Sequence, residues 1–345
     1  MDPEVMKAAY FTATGGPEVI RFGSVPLPAL APGSVLVRVT AAAVDHVDTF
    51  VRAGSYTTNL VFPQVPGRDV VGTVAQLGPD VPEGPAGFHI GDPVWANSMG
   101  FDGRPGTAAQ FTAVPADRLY HLPTGLNADG GDAVAVAAVL HSAATAHLAL
   151  HRHAQLQAGE TVYIGGAAGG VGTAALVQAV RAGARAITSS SAADVERCLS
   201  LGASAALDYR SEGFAEELHE AVGSVSDGWG LDVHLETSGR HRLGLAVELL
   251  ALRGRIIAMS GMSGQDSVPL GRLYTKDGSI RGFAISNATV ADLAAAAEAV
   301  NELLRDGSLH ARNVTVLPLS GAADAHTALE AGTVHGKIVL VPEAD

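Results

Sequence analysis

The sequence predicts an α/β protein whose first part is an irregular β domain and whose second part is a doubly wound parallel sheet. Three observations carry that expectation. Strands and Gly/Pro turns dominate up to about Ala128, strands and helices alternate after Gly159, and a glycine-rich loop, Gly165–Gly172, lies between a strand and a helix. Strand–helix alternation builds parallel sheets covered on both faces, whereas short strands between turns build barrels or irregular β domains.

A chain of 345 residues suits two domains, and 47% hydrophobic against 17% charged residues allows a sizeable core. The 41 glycines follow no repeat period. Lys and Arg total 22 against 35 for Asp and Glu, a net charge of −13. Such a surface repels phosphate backbones and anionic headgroups, so neither nucleic acid nor a membrane surface is expected as a partner. The one cysteine, Cys198, permits no intrachain disulfide and fits a reducing cytoplasm. Met1–Tyr10 lacks the basic and apolar regions of a secretory signal. Apolar runs such as Ala133–Leu140 fall well short of the about 20 residues of a membrane span.

Val35–Val39 and Val70–Leu77 read as strands, Gly78–Asp92 as a loop, and Val94–Trp95 and Ala108–Val114 as further short strands, with no helix among them. Ala133–Leu150 reads as an alanine-rich helix. Strand Thr161–Ile164 opens the alternation, followed by helix Thr173–Ala182 with Gly183 placed to end it. Strand Ala186–Thr188, helix Asp194–Leu201 and strand Ala205–Leu207 come next. Strand Val233–Glu236, helix Arg242–Leu252 and strands Arg255–Met259 and Ser279–Phe283 complete the series. Helix Val290–Asp306 then leads to strands Val314–Pro318 and Lys337–Val341.

The loop GGAAGGVG carries the chemistry. A pyrophosphate needs backbone N–H groups aimed at it, no Cβ in the way and a helix N-terminus behind them. Gly166, Gly169, Gly170 and Gly172, with Ala167 and Val171 between them, meet that need in a strand–loop–helix setting, the signature of a Rossmann dinucleotide site. An NAD enzyme places a carboxylate at the end of the second strand for the ribose 2′-OH. Here that strand runs into Thr188, Ser189, Ser190 and Ser191, and Arg197 lies one helical turn beyond Asp194. Small hydroxyls and a guanidinium favour NADP(H), with NAD(H) possible because Asp194 would repel a 2′-phosphate.

The order of these motifs resembles the zinc-independent medium-chain dehydrogenase/reductase family, in its quinone oxidoreductase (zeta-crystallin-like) branch. The segments that carry the resemblance are Val35–Gly54, Pro66–Gly72, Thr145–Leu150, Gly159–Gly172, Leu201–Arg210, Gly254–Gly264, Arg281–Phe283 and Gly336–Pro342. It implies a Rossmann domain (139–284) inserted into a GroES-like irregular β-barrel domain (1–138 and 285–345). It also implies that Thr145 contacts the nicotinamide ribose, that Ser190, Arg197 and Tyr209 lie at the adenosine phosphate end, and that Gly261, Phe283 and Lys337 contact the cofactor.

In the zinc-dependent branch a Cys and a His stand where this chain has Asp45 and Arg68. Zinc takes N, S or carboxylate ligands, and arginine is none of these. Asp45, His46 and Asp69 imitate a ligand set, but the spacing is otherwise absent, and no metal is expected. His147 and His151, four apart on a helix, are able to share a metal, yet with His141 and His153 they fall on what the resemblance makes an ordinary domain-joining helix.

Without a metal, the expected reaction is hydride delivery to a quinone or to the activated C=C bond of an α,β-unsaturated carbonyl, with stabilisation of the developing oxyanion and its protonation. Tyr56, in the RAGSY segment, and Asp45 are the candidate catalytic residues; His46 and a purely structural Tyr56 are the plainer alternatives. An enoyl reductase acting on a polyketide or acyl intermediate, and an NADPH-binding protein with little turnover, remain open. The resemblance further implies a homodimer formed through the edge strand Ser279–Phe283.

Overall fold

The structure is a computed structural model that describes residues 5–82 and 87–343. The chain forms two compact units, Met1–His141 with Leu293–Asp345, and Ser142–Asp292. Residues 1–4, in the segment read for a secretory signal, 83–86, in the expected loop, and 344–345 lie outside the described residues.

In the first unit β1 (Val5–Tyr10) pairs antiparallel with β2 (Arg21–Pro26). β3 (Ser34–Val44) is the longest strand and runs beyond the expected Val39, because Ala41–Val44 is small and apolar enough to be buried throughout. One correction follows immediately: α1 (His46–Ala53) is a helix in a region expected to have none. Its backbone start is held by Asp48, whose carboxylate accepts from the Asp45 N–H at 2.8 Å, and it ends at Gly54, with φ 78°. At two turns, its apolar spacing is too short to stand out beside the neighbouring strands. β4 (Asp69–Leu77), β5 (Pro93–Ala96), β6 (Phe111–Pro115), β7 (Leu119–His121) and α2 (Gly130–Ala137) follow. Ala108 and Ala109, expected within β6, precede it, and Ala109 forms only an isolated bridge with Ala8.

The helix expected over Ala133–Leu150 is divided. After α2 come α3 (Leu140–His147) and a π-helical turn, Leu148–His153, in which the Ala154 N–H reaches back five residues to the Ala149 carbonyl at 2.9 Å. The whole stretch Gly130–His153 is long and apolar enough by composition to cross a membrane, longer than the run considered from the sequence, and 78% of its apolar window is buried as in a core helix.

The second unit is a doubly wound sheet. Its elements are β8 (Thr161–Gly165), α4 (Gly170–Arg181), β9 (Arg185–Ser190), α5 (Val195–Ser200), β10 (Ala205–Asp208), α6 (Phe214–Val225), β11 (Leu231–Glu236), α7 (Leu243–Leu249), β12 (Leu250–Ala258), α8 (Leu270–Tyr274) and β13 (Ser279–Gly282). All six strands are parallel, in the order β10-β9-β8-β11-β12-β13. The strand order reverses beside β8, and ligands of such sheets bind at the carboxyl ends of the strands there. α6 was not anticipated, although Phe214, Leu218 and Val222 mark its buried face at four-residue spacing. The helix expected over Arg242–Leu252 stops at Leu249, because Leu250 already pairs with Leu231 in the sheet.

The chain returns through α9 (Val290–Arg305), β14 (Val314–Pro318), α10 (Ala322–Glu330) and β15 (Lys337–Val341). β14 and β15 complete the first unit's sheet, ordered β14-β15-β3-β4-β5-β7 with β6 also on β3. Two register shifts between β3 and β4 bend this sheet over a core of Val35, Val37, Val70, Val74, Val94 and Met99.

Candidate active site

In the second unit the glycine loop leaves β8 at its carboxyl end and enters α4. Each glycine has its own reason. A Cβ on Gly165 would meet the buried Glu236 carboxylate at 2.0 Å, and one on Gly172 would meet the Gly166 carbonyl oxygen at 2.3 Å. Gly166 has φ 71°, a left-handed conformation that side chains resist. The Ala167 N–H is bonded to the Ser189 carbonyl at 2.9 Å, and Thr173 caps the Ala167 carbonyl at 3.0 Å. The first-turn N–H groups of Gly170, Val171 and Gly172 have no partner within their own helix, as at any helix start. This cradle suits a pyrophosphate. In the same unit Thr145 is buried, and its hydroxyl has no hydrogen-bond partner among the described residues.

The end of β9 carries no carboxylate. Ser189 is tied to the Tyr163 hydroxyl at 2.7 Å, Ser190 donates to the Ser191 carbonyl at 3.0 Å, and Ser191 donates to Asp194 at 2.9 Å. Tyr209 bonds through its N–H to the Ser190 carbonyl at 3.1 Å, and two guanidinium groups lie over its ring, Arg210 at 5.2 Å and Arg240 at 5.9 Å. Arg240, on the loop after β11, escaped the sequence reading because it lies 31 positions from Tyr209. Arg197 donates to the Thr173 hydroxyl at 3.2 Å, in the first turns of α4. Gly261 packs on Gly239, where a Cβ would meet the Gly239 carbonyl oxygen at 2.9 Å. Phe283 stacks on His153 at 4.4 Å.

The first unit holds a buried charged group built from four elements. Asp45 and Asp48 lie at the start of α1, Arg68 and Asp69 at the start of β4, His141 in α3 and Lys337 at the start of β15. Lys337 donates to Asp45, so the side chain expected near the cofactor is engaged in this group. The Arg68 guanidinium, fully buried, lies 3.8 Å from the Asp48 carboxylate. The His141 N–H donates to one Asp69 oxygen at 2.9 Å, while its ring Nδ1 lies 4.0 Å from the other. The free oxygens of Asp45 and Asp69 and Nδ1 of His141 are buried without hydrogen-bond partners among the described residues.

Burial opposes the Asp45 carboxylate, but His141 and Lys337 together hold it down at about 2. Burial, reinforced by Asp45, pushes Asp48 up to about 7 and Asp69 well above the ordinary carboxylate range. Burial lowers His46 and takes His141 down to about 4. The attraction of Asp45 and Asp69 outweighs burial at Lys337 and raises it. At neutral pH the group therefore contains a neutral His141 and an ammonium–carboxylate pair, beside an Asp69 whose charged form burial and Asp45 disfavour.

Asp45, Asp69 and His141 each bring a ligand-type atom within 4.8 Å of the others. They do not fit zinc. The Lys337 ammonium already neutralises Asp45, and the Arg68 guanidinium stands beside Asp48, so a divalent ion would meet two fixed cations. Cys198, the one thiol, belongs to the other unit.

Tyr56 follows α1; its N–H bonds to the Phe50 carbonyl at 3.1 Å and its ring meets Phe101 edge-on at 5.7 Å. Phe101 in turn lies under the Arg68 guanidinium at 5.1 Å, so Tyr56 and the charged group share one aromatic neighbour. His147 and His151 lie ring to ring at 4.7 Å.

Family models for the alcohol dehydrogenase GroES-like domain and for zinc-binding dehydrogenase match residues 31–124 and 170–302. A quinone oxidoreductase of Sus scrofa is 30% identical over 341 residues, 98% of each chain. A 2-haloacrylate reductase of Burkholderia sp is 28% identical, covering 99% of this chain and all of the relative. A mycobacterial protein solved in complex with NADPH superimposes with a TM-score of 0.78 at 27% identity, covering 98% of this chain and all of that one. With this two-unit fold and these full-length relatives, the chain belongs to the medium-chain dehydrogenase/reductase family, in its quinone oxidoreductase branch.

Proposed function

We propose that the protein is an NADPH-dependent, metal-free reductase of quinones or of the activated C=C bonds of α,β-unsaturated carbonyls. The observation that carries the reading is the end of β9, where serines replace a carboxylate and Arg210 and Arg240 flank Tyr209. A ribose 2′-phosphate brings about two negative charges to that end, and guanidinium groups recognise them well. Asp194, which argues for NAD(H), is buried and accepts from Ser191.

Gly170, Val171 and Gly172 hold the pyrophosphate on their N–H groups, and the unpartnered Thr145 hydroxyl serves the ribose on the nicotinamide side. Bound NADPH supplies a hydride from its nicotinamide ring. The chain's own residues orient the acceptor and place donors where negative charge develops on its oxygen. Tyr56 presents a hydroxyl for that role. Relatives named for quinones and for 2-haloacrylate both imply electron-poor conjugated acceptors.

The test is NADPH and NADH oxidation measured side by side against para-quinones, ortho-quinones, enals and enones, with and without a chelator. NADPH-driven, chelator-insensitive turnover is the expected result. Tight NADPH binding with silence on every acceptor would favour a specialised acyl substrate or a binding protein with little turnover. Chelator-sensitive turnover would overturn the metal-free reading.

A further inference from the structure

A pyrophosphate has more acceptor oxygens than the first-turn N–H groups of α4 satisfy, and α4 brings no free hydroxyl of its own. Gly170, Val171 and Gly172 have none. The Thr173 hydroxyl is already used, donating to the Ala167 carbonyl at 3.0 Å and accepting from Arg197 at 3.2 Å. The neighbouring helix α3 supplies one. A Cβ on Gly170 would meet the Ser142 Oγ at 2.6 Å but the Ser142 Cβ only at 3.5 Å, so the hydroxyl points from α3 at the first residue of α4. Ser142 is 7% exposed, and its hydroxyl has no hydrogen-bond partner among the described residues. Thr145, equally buried and unpartnered, lies three positions on and therefore on the same face of α3. Gln178, on α4, donates from its side-chain amide to the Ala143 carbonyl at 3.0 Å, which fixes the two helices to each other. A buried hydroxyl left unpaired costs free energy until something accepts from it, and a helix N-terminus is where an anion comes to rest.

We propose that Ser142 is a cofactor ligand, its hydroxyl donating to the phosphate on the nicotinamide side of the pyrophosphate. The proposal rests on the dinucleotide reading above and adds to it a residue outside the glycine loop. Thr145 sets the side: the ribose that follows this phosphate falls to the next hydroxyl on the same face of α3. Gly170 acquires its own reason, because a side chain there would push the hydroxyl away from the helix start. A hydroxyl on an anionic oxygen makes a charge-assisted bond. The pyrophosphate is common to both cofactors, so Ser142 adds affinity without choosing between them, whereas Arg210 and Arg240 lie over Tyr209 at the adenosine phosphate end.

The test is Ser142→Ala in the full chain, titrated with NADPH, NADH and ADP-ribose, and with adenosine 2′,5′-bisphosphate, which ends at the adenosine-side phosphate. Kd for NADPH, NADH and ADP-ribose should each rise about 10-fold, the loss of one charge-assisted bond. Kd for adenosine 2′,5′-bisphosphate and the urea midpoint of the free protein should stay at their wild-type values, because the hydroxyl has no partner to lose there. Unchanged Kd values for NADPH and ADP-ribose would overturn the proposal. A loss of affinity accompanied by a lowered urea midpoint would assign Ser142 to packing, and an equal loss for adenosine 2′,5′-bisphosphate would move the contact to the other phosphate; either overturns it as well. A wild type that binds neither NADPH nor ADP-ribose would refute the dinucleotide reading itself, which separates the two failures.

Discussion

Lys337 donates to Asp45 across 292 positions of sequence, joining the strand that returns to the first unit to the residue that opens α1. Replacing it with methionine leaves Asp45 ionised, buried and alone. Loss of one partner of a buried pair costs about 3–5 kcal/mol. Lys337→Met should lower the urea midpoint accordingly, and Lys337→Met with Asp45→Asn should recover much of the loss. Because Asp45 is held at about 2, below its ordinary 3.8, its contribution is complete above 3.8 and lost as pH falls through about 2. Asp45→Asn should remove that acid limb from a stability–pH curve.

His234 gives a pH effect of a different origin. It is buried in β11 against the Tyr163 ring at 4.8 Å, and burial, with His241 nearby, lowers it to about 3 from 6.5. The unfolded chain takes up this proton below about 6.5 while the folded one refuses it, so stability falls as pH drops from 6.5 toward 3. His234→Phe should reduce that slope by about 1.4 kcal/mol per pH unit, measured by thermal or urea denaturation across the window.

Gly172→Ala tests the cradle. The added methyl meets the Gly166 carbonyl oxygen at 2.3 Å and the Ala167 Cα at 2.6 Å, both backbone atoms that have no side-chain freedom to yield. We expect NADPH affinity to fall at least about 100-fold, with a stability loss of about 1–3 kcal/mol from overpacking. Gly169→Ala, whose methyl meets only the Gly166 carbonyl oxygen at 3.3 Å, should be far milder.

Arg240→Gln tests cofactor choice. Removing one exposed guanidinium from the Tyr209 ring should weaken NADPH by about 10-fold, the loss of a single charge-assisted bond of about 1.4 kcal/mol, and leave NADH unchanged. Equal effects on both cofactors would point to a structural role for Arg240.

β13 is the last strand of the six-stranded sheet, and its outer edge has no partner strand within the chain among the described residues. Open edges are covered in stable proteins. We expect light scattering to give twice the chain mass. Gly282→Pro removes an N–H that alternates with the β12-facing Phe283 N–H and so faces the open edge, and it should give a monomer.

The glycine loop, the parallel sheet and the returning strands Val314–Pro318 and Lys337–Val341 were legible in the sequence because each has a local signal: glycine spacing, alternation, and apolar runs of strand length. α1 and α6 were not, the first for want of length beside a long apolar strand and the second because Gly213 and Gly223 punctuate its two ends as turns do. The end of Arg242–Leu252 was decided by sheet pairing, which overrides the helical preference of leucine.

The sequence by itself determined the chemistry of the second unit, since a phosphate cradle is a run of adjacent residues whose backbone does the work. It also determined which residue types the first unit had to bury: Asp45, Asp48, Arg68, Asp69, His141 and Lys337 are all plain in the chain. Only the tertiary structure decided that these six meet, that Lys337 occupies the charge a metal would bring, and that burial pushes Asp69 up beside His141. The physical reason is that protonation of a buried group depends on desolvation and on neighbours a few ångströms away, and those neighbours come from segments separated by as many as 292 positions.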